Sequence, residues 1–271
     1  VHIQMDHEVN FRESGVDAGF GLGPRLVAID PTIAQKNYYS SIGNSIYHGM
    51  TASLTRRSRH SLFQVNYTFS KAIDDNVDFN SAFASFLPTR LNLDRAPSIY
   101  DVRHNFVASG VFTSPWKVGA GHRLLARAFA DITLAPIITM RSGIPFTILM
   151  GRDTNGDNHV ENDRPFYAPR NSGRDPSIYV VDMRLTKKFH FRRDSGLRVE
   201  FTAEASNLLN HTNFLALNNS LAALPAGTDL TPYLLGPFNL RGDRSRPPTS
   251  FLGFTAAGEP RRVQFGLKVA F

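Results

Sequence analysis

Apolar and polar positions alternate along seven stretches of the chain, most cleanly at its C-terminal end. In 261–271, Val263, Phe265, Leu267, Val269 and Phe271 are apolar, with Gln264, Gly266, Lys268 and Ala270 between them. A period of two predicts a β-strand with one apolar and one polar face. In 61–72, Phe63, Val65, Tyr67 and Phe69 alternate with Gln64, Asn66, Thr68 and Ser70. The same pattern predicts strands from Tyr47 to Arg56 (Met50, Ala52, Leu54) and over 101–112 (Val102, His104, Phe106, Ala108, Phe112). It predicts others over 179–189 (Val181, Met183, Leu185) and 197–209 (Leu197, Val199, Phe201, Ala203, Ala205). In 132–141, Ile132, Leu134, Pro136, Ile138 and Met140 share a face, and Pro136 removes one ladder donor. Residues 1–6 alternate weakly, and LLARAFA at 124–130 reads as helix or strand.

The connections sort by length. Those at 57–60, 115–122 and 190–196 are short and fall on one side of an antiparallel meander. Those at 7–45, 75–99, 149–175 and 210–260 are long, lack a period and fall on the other. Outer-membrane barrels sort their connections this way, with short periplasmic turns and long extracellular loops. The expected fold is all-β: an antiparallel transmembrane β-barrel, about eight strands of a larger one. Residues 1–45 are expected to supply a weak strand and an extracellular loop, and 46–271 the barrel strands. A soluble β-sandwich with unequal ends is the rival.

Composition agrees. No run approaches the ~20 apolar residues of a membrane helix. The mean hydropathy of −0.22 is compatible with a barrel, whose alternating faces average out. The absence of cysteine excludes disulfides and thiolate metal sites. The net charge of +7 gathers in TRRSRH at 55–60, KKFHFRR at 187–193 and RSRPP at 244–248. No zinc-finger, RNP or helix-turn-helix pattern accompanies these clusters, so anionic lipid or a wet lumen is expected to meet them rather than nucleic acid. The chain opens on Val1, with neither a start Met nor a signal peptide, and reads as a mature fragment or the downstream part of something longer.

Several segments then occur in order: YHGMTASLTRR, FQVNYTFSKAIDD, DRAPSIYDVRHNFVAS, MRSGIPFTI, NDRP, RNSGRDPSIYVVDMRLTKKF, FTAEASNLLNHTNF and PRRVQFGLKVAF. Together they resemble the C-terminal barrel half of TonB-dependent outer-membrane receptors of the Oar-like group. The resemblance implies a large barrel with an N-terminal plug domain, energised through TonB. It implies uptake of a siderophore, a saccharide or a peptide. It also implies that Phe271 serves as a signal to the barrel-assembly machinery. The plug is not among these residues, so contact with TonB is expected through a parent chain. Outer-membrane lipid and lipopolysaccharide are the expected surroundings.

The sharpest candidate for local chemistry is DTNGDNHVEND at 153–163. Asp153, Asn155 and Asp157 have the one-three-five oxygen spacing of a calcium loop, with His159 offering a carbonyl and Asp163 a carboxylate. Asn158 stands where such a loop has glycine, and Arg164 where it has glutamate, so a solvated Asx-rich turn is the plain alternative. No GxSxG, HExxH or phosphate-loop pattern occurs, and no enzyme is expected. Glu200 and Glu204 share a face with Arg198 and read as a charge ladder with Arg184 and Lys188, rather than an acid/base pair. Tyr67, Phe69 and His104 read as interfacial residues. GFGLGP at 19–24 lacks the helix and acid of a dinucleotide site. RGD at 241–243 and the sequon NHT at 210–212 carry no further reading. The expected function is capture by the external loops and uptake across the outer membrane. A self-contained small barrel with a structural or adhesive role, and a soluble carbohydrate-binding sandwich, are the alternatives.

Overall fold

The computed structural model describes residues 2–34, 36–76, 85–116, 129–190 and 197–270. Its strands, in chain order, are β1 (His2–Glu8), β2 (Phe11–Asp17), β3 (Pro24–Ala28), β4 (Asn37–Arg57), β5 (Ser61–Asp74) and β6 (Ala96–Pro97). There follow β7 (His104–Thr113), β8 (Ile132–Arg141), β9 (Pro145–Phe146), β10 (Gly173–Arg174) and β11 (Ile178–His190). The last are β12 (Arg198–Ser206), β13 (Phe214–Leu217), β14 (Phe254–Ala257) and β15 (Arg262–Ala270).

One antiparallel sheet runs in the order β1-β4-β5-β7-β8-β11-β12-β15, with β6 added to the outer end of β5. The register carries one apolar face across it. Leu54 pairs with Val65, Val65 with Ala108, Ala108 with Ile138 and Ile138 with Val181. Leu185 then pairs with Ala203, and Ala203 with Phe265. The facing set is polar: Ser53 with Asn66, Thr186 with Thr202, Glu204 with Gln264. A slip of one residue anywhere would exchange the faces. Pro136 does interrupt the ladder: β7 and β8 pair at Ser109–Ile137 and again at Phe112–Leu134, and not between.

The two-sided sorting of connections is present. Residues 58–60, 114–131 and 191–197 join strands at one end, and 9–36, 75–103, 142–177 and 207–261 at the other. Three expectations need correction. Residues 7–45 are not one loop: β2 and β3 form a hairpin, and β4 begins at Asn37, so the strands start before residue 46. At 21 residues, β4 is about twice the ~9–11 that cross a bilayer, and its first part pairs with β1. That part alternates poorly because a strand held clear of lipid needs no apolar face. The 115–122 turn belongs to a wider connection, of which 117–128, including most of LLARAFA, lies outside the described residues. Finally, β12 stops at Ser206, because Asn207 adopts a left-handed backbone (φ 48°).

Buried apolar side chains are found away from the long strands. One cluster joins Ile148 and Met150 of the third long loop to Leu221, Leu234, Phe251 and Leu252 of the fourth. A second joins Phe11 and Leu26 of the first to Phe86 and Leu87 of the second. The long loops therefore fold together as a packed cap.

Candidate functional site

The cap is held by arginines of the third loop. Arg164 donates from Nη1 to Asp94 Oδ1 (2.8 Å), from Nε to the Ala168 carbonyl (3.0 Å) and from Nη2 to the Leu93 carbonyl (2.9 Å). Its guanidinium lies 4.4 Å from the centre of the Phe86 ring. Arg170 pairs with the Asp74 carboxylate at the end of β5 and donates to the Asp94 carbonyl (2.8 Å). Arg174 donates to Asp101 Oδ2 (2.8 Å), and Arg103 reaches the same oxygen at 3.3 Å. Burial pushes Asp94 up, against the Arg164 guanidinium. Burial also pushes Asp101 up, but Arg174, the Ala72 N–H and Arg103 outweigh it and hold the carboxyl below its ordinary range. The motifs NDRP and RNSGRD thus supply the cations, and IDD and DRAPSIYD the anions. The sequence reading assigned these residues no role. Paired charges some 70 or more positions apart, in aperiodic segments, carry no local signal.

The 153–163 segment is part of this cap. Carboxylate oxygens of Asp153, Asp157 and Asp163 all lie within 4.8 Å of one another. Asp157 and Asp163 are buried, whereas Asp153 is exposed. Asp153 accepts from the Gly156 (2.6 Å) and Asn158 (3.1 Å) N–H groups. Asp157 accepts from the His159 N–H (2.8 Å) and from the Asn162 amide (3.0 Å). Asp163 accepts from the Thr154 N–H (3.0 Å) and hydroxyl (2.7 Å). Burial, with Asp157 and Asp153 beside it, pushes Asp163 up to about 6. Asn155 meets the cluster through its nitrogen: the amide donates to Asp157 Oδ2 (3.2 Å) and to the Phe86 carbonyl (3.0 Å), while its oxygen accepts from the Asp157 N–H (2.9 Å) and is not turned to the other carboxylates. The His159 carbonyl accepts from the Asn162 N–H at 3.5 Å. The donor set is all oxygen, which suits a hard divalent cation.

On the barrel wall, Arg184 meets Glu204 at 2.5 Å and Lys188 meets Glu200 at 3.8 Å. The Gln264 amide donates to Glu204 (2.7 Å). These carboxylates form a cross-strand ladder. Tyr67 and His104 bond at 2.8 Å, and the His104 ring sits 5.2 Å from that of Phe69. Phe271 lies outside the described residues.

Between the second, third and fourth loops is a cavity of about 540 Å³. Tyr100, Ile144, Phe146 and Leu215 form its apolar walls, and Asp175 is among its lining residues. The Phe146 ring lies across Gly173, where any Cβ would collide with it.

An open antiparallel meander with a lipid-ready outer face, polar inner face and one looped end defines the class of membrane β-barrels. The chain belongs to the outer membrane beta barrel domain family, whose model matches residues 2–169 and 167–264. It is a bacterial outer-membrane protein. No curated protein and no solved structure matches it.

Proposed function

We propose that these strands are part of a TonB-dependent receptor barrel that takes up a ligand captured by the cap. The observation that carries the reading is the cap itself: long loops packed together and tied by buried ion pairs, three of them around a cavity of small-molecule size. The order of the Oar-like motifs supports it too. In addition, β1 and β15 are the two edges of the sheet and do not pair among the described residues. Lipid-exposed open edges are not tolerated in a bilayer, which favours a barrel of more strands. A divalent cation such as calcium among Asp153, Asp157 and Asp163 would stiffen the third loop. Coupling runs through a plug and TonB.

The test is the size of the native polypeptide in an outer-membrane fraction, blotted with an antibody to this segment. A band far above 30.1 kDa is expected. A band at 30.1 kDa would turn the reading to a self-contained small barrel with a structural or adhesive role.

A further inference from the structure

We propose that the cavity between the second, third and fourth loops binds a small amphipathic cation, an apolar body ending in an ammonium group, with Asp175 as its counter-charge. The inference rests on the loops being the ligand-capturing end, and not on coupling to TonB.

The cavity volume of about 540 Å³ is that of a site for a small molecule. Its apolar wall comes from all three loops: Tyr100, Ile144 with Phe146, and Leu215 with Leu217. Its charges decide what the ligand carries. Glu161, Arg164, Arg170 and Asp175 line it. Both guanidiniums are engaged, Arg164 by Asp94 and Arg170 by Asp74. The two carboxylates have no such partner: Glu161 meets only the His159 ring, at 3.5 Å. The Asp175 carboxylate makes no hydrogen bond or ion pair among the described residues, and its Oδ1 is buried. Arg103, Arg174 and Arg241 line the hollow on the other side of Asp175, yet none pairs with it; the first two share Asp101. Asn162, on the same cavity wall, also has a buried oxygen without a donor.

Of the charged groups on this wall the two cations are thus matched and Asp175 is not, although Arg103 Nε, in the neighbouring hollow that Asp175 also lines, is itself buried without an acceptor. A carboxylate withdrawn from water without a cation is costly, and a ligand ammonium supplies both charge and N–H groups. The want of a partner shows in Asp175 itself, which burial pushes up to about 6. Its position is built rather than incidental. The Asp175 N–H donates to the Ile144 carbonyl (2.9 Å), and its own carbonyl lies against Gly143, where a Cβ could not fit.

The experiment uses native-length protein from outer membranes, placed in lipid nanodiscs, with empty discs subtracted. Binding of 4-phenylbutylamine, 4-phenylbutan-1-ol and 4-phenylbutyrate is measured by equilibrium dialysis at neutral pH. The amine is expected to bind about tenfold tighter than the alcohol, the effect of one charge-assisted hydrogen bond, and the butyrate weakest. Asp175→Asn should bring amine and alcohol together. Equal binding of amine and alcohol by the unaltered protein, or a preference for butyrate, overturns the proposal whether or not the variant assembles. A folded Asp175→Asn that still prefers the amine overturns the role of Asp175. The assay needs no energised membrane, so failed uptake in cells leaves it standing. Failed binding in turn leaves uptake of another ligand class open.

Discussion

The wall and the cap of this molecule put apolar side chains to opposite uses. On the wall they point away from the protein: Val263, Phe265, Leu267 and Val269 are all at least half exposed. In the cap they point inward: every buried apolar side chain among the described residues lies in the looped end, except Ala130. The wall is held by backbone ladders and solvated on its outer face by lipid. The cap is held as a water-soluble domain is, by apolar clusters and by buried charges that must be matched. One chain therefore follows two folding rules, divided at the membrane surface.

The largest expected effect that tests this division is on the cap. Arg164→Met removes the partner of Asp94, whose side chain is fully buried, and should cost about 3–5 kcal/mol. Protease should then cut the loops while the strands keep their heat-resistant mobility on gels. Simultaneous loss of the strands would show that wall and cap are one cooperative unit.

Next comes the wall. Val65→Arg or Phe201→Arg should cost about 2–4 kcal/mol near the bilayer midplane, and Asn66→Arg or Thr202→Arg far less. Refolding into vesicles under urea measures both, and equal damage on the two faces would sink the lipid-facing assignment. The ladder on the inner face is worth less. Glu204→Gln removes a pair between partly exposed side chains, and should shift stability least in the same assay.

The effect of pH separates the regions without a large energy. Asp175 has a folded pKa raised to about 6, above its unfolded value. The folded cap binds the extra proton between those values, so this group favours folding at low pH and loses that contribution as pH rises through about 6. Loop protection against protease should therefore rise from pH 7 to 5 in the unaltered protein more than in Asp175→Asn. Arg103, Arg174, Arg241, His104 and Glu161 surround the group and are common to both proteins. A final comparison uses calcium against a chelator: protection of the 153–163 segment is expected with the ion and should vanish in Asp157→Asn. Protection that ignores calcium would leave Asp153, Asp157 and Asp163 as a turn.

The strands were legible because their requirement is local. Lipid on one face and water on the other impose a period of two, and Phe63 to Ser70 or Val263 to Ala270 satisfy it without reference to any other segment. Even the sorting of the connections into a short end and a long end followed, since the segments between the alternating stretches differ in length along the chain. The cap was illegible for the converse reason. Asp94 and Arg164, or Asp74 and Arg170, match only once distant loops are folded together, and no spacing announces them. The DTNGDNHVEND segment shows the boundary between the two. Its residue types pointed to a carboxylate cluster, and Asp153, Asp157 and Asp163 do converge. How Asn155 joined them depended on Phe86, 69 positions away: its carbonyl takes the Asn155 amide, which therefore meets Asp157 as a donor and not as an oxygen ligand. Alternation along the chain determined an outer-membrane barrel. The ion pairs, the cavity and the solitary carboxylate of Asp175 were decided by tertiary structure alone, because buried charge is specified by what lies across from it.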